Sequence, residues 1–150
     1  MARIGFDPSV ISDASPTFTL GEVLSYQGNL FRYIQVVDLA TVNGSLLTYS
    51  TATSGFVGTT DRSGGTALAE LKPIGVAMGV IAVNQYGFVM VCGTHTAVLS
   101  DGAVVAGESV MPHATTDGTM DTMAAGDEDH VFGVALANDT TTAPVSIRLM

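Results

Sequence analysis

The chain is predicted to be all-β: a single small β-barrel or β-sandwich-like domain, with an extended N-terminal arm and at most one short helix. Three observations predict this. Eighteen valines and eighteen threonines favour strands, because β-branched side chains pack well on a pleated surface. Turn formers recur along the chain, at Gly28, Asn43-Gly44, Asp101-Gly102, Ala106-Gly107 and Asp117-Gly118. Short strands every ~8–12 residues between such turns indicate a barrel or sandwich. No stretch carries a convincing long helical period. A length of 150 residues suggests one domain, large enough to bury a core without disulfides.

The elements follow in order. Residues 1–16 read as an arm, because Pro8 and Pro16 bracket Ser and Asp residues and apolar periodicity is poor. Ile4, Phe6, Val10 and Ile11 are too apolar for a free tail, so the arm is expected to lie on its own domain or on a neighbour. Residues 17–150 form the β-rich domain. "TFTLGEVLSYQGNLFRYIQVVDLA" reads as a hairpin about the "QGN" link, where glycine serves a tight turn. Phe18 and Leu20 lead into its first strand, and Gly21 marks a bulge. Phe31, Tyr33 and one of Ile34 or Val36 point inward from the second. After Asn43-Gly44, Leu46, Leu47 and Tyr49 form a short strand. Residues 50–66, "STATSGFVGTTDRSGGT", hold four glycines and read as a surface loop. "ALAEL" at 67–71 fits one helical turn, stopped by Pro73.

Beyond residue 73 the strand signal strengthens. "IGVAMGVIAV" and "YGFVMVCG" pair across Asn84-Gln85, and "THTAVLS" continues the second strand. "AVVAGESVMPHA" follows with a turn at Ala106-Gly107, "TTDGTM" holds the hairpin signal Asp117-Gly118, "MAAGDEDH" is a loop, and "VFGVALA" with "APVSIRLM" forms the last pair. Gly-Val-Ala occurs at 75–77 and again at 133–135. The two hairpins that carry it are expected at related places in one barrel.

Composition narrows the function. The chain is 47% hydrophobic and only 13% charged, with a net charge of −9, against about 25% charged in ordinary domains. Eighteen Thr and eleven Ser cover part of the exterior. A partner subunit is expected to cover more, since obligate interfaces resemble a divided core. From Pro73 to Ile147 there is no Lys or Arg, but there are eight acidic residues. Nucleic acid and anionic membranes both need clustered cations, so neither is an expected partner. Asn84 and Gln85 break the longest apolar run, so no helix spans a bilayer. The N-terminus lacks the apolar centre of a signal peptide, which points to synthesis in a cytoplasm.

Catalytic patterns are missing from the sequence. There is no Gly-x-Ser-x-Gly elbow, phosphate-binding glycine loop ending in Gly-Lys-Ser/Thr, His-Glu-x-x-His or Cys-x-x-Cys. Cys92 is the one cysteine and reads as a small buried hydrophobe. An alternating strand puts His95 on the opposite face from it. Asp127-Glu128-Asp129, with Asp117 and Asp121, lacks the spacing of a calcium loop and reads as solvated. No enzyme activity, cofactor or metal is expected.

The segments "PIGVAMGVIAVNQYGFVMVCGT", "VVAGESVMPHATTDGTMDTMAAGDEDHVFGVAL" and "VSIRLM" together resemble the head decoration, or cement, proteins of tailed bacteriophages. The shared features are Gly75 to Ala77, Tyr86 to Gly93, Ala106 to Glu108, Thr115 to Gly118, Gly133 to Leu136 and Val145 to Leu149. The resemblance covers residues 73–150 well and the front hairpin loosely. It implies a homotrimer on the outer capsid surface of a virion, bridging and stabilising major capsid proteins. The arm (Ile4, Phe6, Val10, Ile11) and the 50–66 loop (Phe56, Val57, Arg62) are the expected capsid contacts. The rivals are a tail or spike protein and, further off, a small ligand-binding barrel. With no Trp and ten Tyr plus Phe, a ligand pocket would be poorly furnished.

Overall fold

Strand pairing begins at a tight turn. Gln27 and Gly28 both have positive φ (49° and 80°), the geometry of a two-residue turn that matches strand twist. They join β1 (Val23–Tyr26) to β2 (Asn29–Val37) in register Tyr26↔Asn29. The computed structural model describes residues 7–50, 55–62, 72–123, 125–126 and 128–149. The helical turn expected at 67–71 lies outside them. Phe18 and Leu20 precede the hairpin rather than belonging to it, and Gly21 lies in a turn (φ 85°). The remaining strands are β3 (Leu46–Tyr49), β4 (Val57–Thr59), β5 (Pro73–Ala77), β6 (Tyr86–Leu99), β7 (Ser109–Pro112), β8 (Met120–Thr122), β9 (Gly133–Ala135) and β10 (Thr142–Arg148). Two three-residue 3-10 turns, Pro8–Val10 and Glu128–His130, are the helical elements among the described residues.

The strands form one ten-stranded sheet, part of it curled into a barrel-like ring and part of it open, and β6 runs through both parts. β2 pairs with β4 in parallel, β4 with β3, β3 with β5, β5 with β6, and β6 returns to β2. These five strands close a ring. Ile34, Val36, Leu47, Ile74, Ala77, Ile81, Val89 and Val91 form one buried cluster, which fills it. The second half of the 14-residue β6 leaves the ring and pairs with β10, followed by β9, β7 and β8. A larger core joins Phe31, Tyr33, Leu46, Phe88 and Met90 of the barrel wall to Val110, Phe132, Val145 and Ile147 of this open sheet. β2 therefore buries both faces: Phe31 and Tyr33 outside the ring, Ile34 and Val36 within it. β10 buries one face only, alternating Ala143, Val145 and Ile147 with Pro144, Ser146 and Arg148, as a half-covered antiparallel strand does.

The expected 50–66 loop contains β4, a buried strand. Its central Gly58 faces the barrel interior. A Cβ there would lie 3.0–3.2 Å from methyl groups of Ile34, Leu47 and Ile74. Glycine at this place marks a lack of room, where composition suggested a turn. The two Gly-Val-Ala hairpins do not share one barrel: β5 and β6 belong to the ring, whereas β9 and β10 lie in the open part of the sheet, joined to it by the antiparallel pairing of β10 with β6.

Past Asp7 the arm lies on its own domain. Asp7 Oδ1 accepts from Ser9 N (2.9 Å) and Ser9 Oγ (2.7 Å), holding the first 3-10 turn. Asp13 and Tyr86 exchange backbone hydrogen bonds of 2.8 and 2.9 Å. The buried Tyr33 hydroxyl donates to Asp13 Oδ2 at 2.8 Å.

Candidate interaction surfaces

Two of the three histidines hold backbone in place. His95 is 2% exposed. Its Nδ1 accepts from Ala97 N (3.1 Å), which leaves Nε2–H to donate to the Ala77 carbonyl (3.2 Å). Burial pushes its pKa down, partly offset by the Ala77 bond, so the ring is held neutral. His113 Nδ1 accepts from the backbone N–H groups of Thr115 and Thr116 (3.2 and 3.0 Å). Its Nε2 stands 3.8 Å from both Asp101 and Asp121. With Nδ1 occupied as acceptor, Nε2 keeps its proton in the neutral ring and has no lone pair to give a metal. The imidazole ties together the β7–β8 hairpin. Among the described residues no three His, Cys, Asp or Glu side chains are grouped to hold a metal ion. Asp127 of the acidic run lies outside those residues. Cys92 is half-buried rather than enclosed.

Two surfaces among the described residues gather most of the exposed large apolar side chains. One is the barrel end formed by the loops before β3 and before β6. Thr41 clamps them: its N–H donates to Ile81 O (3.0 Å), its Oγ1 donates to Gly79 O (2.8 Å) and accepts from Ile81 N (2.8 Å). This fixed pair of loops presents Leu39, Val42, Val80 and Val83, each 39–61% exposed, beside the exposed Asp38. The other surface is a groove of about 420 Å³ on the outer face of β9 and β10. Phe132 and Gly133 contribute its floor, Val131, Val134 and Leu136 its apolar walls, and Ser146 and Arg148 its polar side. An adjoining hollow shares Val131 and adds Tyr49, Lys72, Pro73, Asp129 and Leu149.

The structure disperses the residues expected to touch a capsid. Ile4 and Phe6 lie outside the described residues. Val10 ends the first 3-10 turn. Ile11 packs against the larger core. Phe56 is half-buried, with the Arg32 guanidinium 5.4 Å above its ring. Val57 and Arg62 are turned inward, at 6% and 3% exposure. Arg62 N donates to Asp117 Oδ1 (2.5 Å), and its guanidinium donates to the Asp61 carbonyl (3.0 Å). The partner that draws Arg62 inside lies 55 residues away, so local sequence gives no sign of it. The groove escaped sequence reasoning for a similar reason. Val134 and Leu136 read as strand core, and they are exposed because none of the described residues forms a layer over β9.

No protein-family model matches the chain, and no curated protein matches it. Among solved structures the fold is similar to the N base of head fiber gp8.5 in bacteriophage phi29, at 16% sequence identity and a TM-score of 0.51. The likeness covers 80% of this chain and 97% of that one.

Proposed function

We propose that the chain is a structural protein of a phage particle, attached to the head, with no catalytic role. In finer form it is a decoration protein, a homotrimer that binds the outer surface of the mature head and bridges neighbouring major capsid proteins. One observation carries the reading: over 80% of this chain the fold is similar to nearly the full length of a head fiber base. The composition supports it. A net charge of −9 keeps the protein from adhering to DNA. Exposed aliphatic loops at a rigid barrel end supply a surface for assembly.

The energetics suit the role. A trimer that engages several shell subunits gains avidity, because later contacts become intramolecular. Binding only the expanded lattice would stabilise it by about 2.7 kcal/mol per site at ~100-fold above Kd. Ile4, Phe6 and the rim around Phe56 are the proposed shell contacts. Val57 and Arg62 would support that rim from beneath.

The test is addition of purified protein to heads that lack it, followed by sedimentation and electron microscopy. Regular density over the whole head surface is the expected result. Heads that pellet without the protein would overturn the reading. Density at one vertex or along a tail would instead favour a tail component. The same likeness favours a second reading, in which this domain is the base of a projecting fiber; density extending outward beyond the domain would select it.

A further inference from the structure

We infer that the groove on β9 and β10 receives the barrel-end loops of a second copy of this chain, giving a head-to-tail interface. As the contact within the proposed homotrimer, the inference rests on that reading. The exposed large apolar side chains concentrate on these two surfaces. Leu39, Val42, Val80 and Val83 on the loops and Val134 and Leu136 at the groove are six of the nine among the described residues. The surfaces lie toward opposite ends of the barrel. β5 runs from Pro73, beside the groove, to Ala77, next to the clamped loops, a span of ~13 Å of strand. They cannot meet within one chain, but they can meet between copies. An interface between two different patches is heterologous, and it closes into a ring when the rotation permits.

Charge selects the occupant. Of the five cations in the sequence, Arg3 lies outside the described residues, Arg62 is buried and Arg32 is half-buried over Phe56. The exposed ones among the described residues are Lys72 and Arg148. Arg148 lines the groove, and Lys72 the adjoining hollow, where Asp129 offsets it. An acidic protein therefore carries a guanidinium at its apolar groove, and an acid, Asp38, beside its apolar loops. Residues 1–6 fit less well, since Arg3 brings like charge to Arg148 and no acid accompanies it. The Thr41 clamp pre-forms the loops, so little ordering entropy opposes docking.

Sedimentation equilibrium of the full chain from 1 to 100 µM tests this. Val80→Asp and Leu136→Asp both change exposed positions. Each is expected to weaken self-association ~100-fold, as loss of a central apolar contact does, with circular dichroism unchanged. Mixed together, they should form a 1:1 heterodimer and nothing larger, because one intact loop pair and one intact groove remain. Arg148→Glu should weaken association ~10-fold, and adding Asp38→Arg should restore it. A mixture that stays monomeric, or charge reversal without rescue, overturns the inference. So does association that survives both aspartate variants, or that is lost on deleting residues 2–6 but not in Val80→Asp. Groove variants that lose head binding while still self-associating would assign the groove to the shell, with the same consequence. A wild-type monomer at 100 µM that still saturates heads would sink the inference and leave head attachment standing.

Discussion

Replacing Gly133 with alanine should destabilise this protein by about 2–3 kcal/mol, in the upper part of the range for overpacking a filled site. A Cβ built there falls 2.8 Å from Val145 Cγ1 and 3.1 Å from the Ser146 carbonyl carbon, and closer still to the Ser146 oxygen. Ordinary contact begins near 3.4 Å, so the Val145 methyl alone must retreat by 0.6 Å (3.4 − 2.8). Val145 is fully buried. Ser146 is fixed on both sides, paired with Val134 of β9 and Thr94 of β6, so the backbone oxygen cannot yield without moving three strands. For a chain of this length each kcal/mol lowers Tm by ~2–4 °C, giving an expected drop of about 4–12 °C. Thermal and urea unfolding followed by circular dichroism read it, with an unchanged m-value showing that the folded state keeps its extent. Val134→Ala is the control. It is the next residue, is 38% exposed, and should stay within about 0.5 kcal/mol of wild type. Gly75→Ala repeats the experiment in the other copy of the motif, where the new Cβ meets Val89 and lies 3.0 Å from the Met90 carbonyl. A Gly133→Ala protein that melts within about 1 °C of wild type would refute the reasoning.

Acid stability should depend on His95. Burial lowers its pKa below 6.5 in the fold, so below that pH the unfolded chain takes up a proton that the folded one refuses, and stability falls as pH falls. Between pH 6.5 and 5.5 this contribution reaches at most about 1 kcal/mol. His95→Gln should flatten the urea-midpoint profile across that window, and a profile as steep as wild type's would contradict it. Tyr33→Phe should cost about 1–2 kcal/mol, since it removes the donor to Asp13 Oδ2 within a charge-assisted bond. It should also speed hydrogen exchange at the paired amides of Asp13 and Tyr86. Unchanged protection there would show that the arm is held by its backbone bonds alone.

Much of the strand plan was written locally. The turns at Gly28, Gly44, Gly102, Gly107 and Gly118 all have positive φ, and glycine adopts that conformation without a Cβ penalty. Alternation along β10 was legible because one of its faces is covered. β4 was not legible. Three residues among threonines and glycines carry no period, and their parallel pairing with β2 is a long-range contact. The interior position of Arg62 was hidden for the same reason, and so was the split of β2 between two cores.

Gly-Val-Ala shows the division most clearly. The sequence by itself determined that both copies are extended and that each opens a hairpin. The tertiary structure alone decided what the middle valine does. Val76 is fully buried, because β5 belongs to a closed barrel whose outer wall is covered by the open sheet. Val134 is 38% exposed, because none of the described residues forms a layer over the outer face of β9. Identical side chains on identical backbone meet core or solvent according to what the rest of the chain stacks against them, and that depends on pairings between residues far apart in sequence.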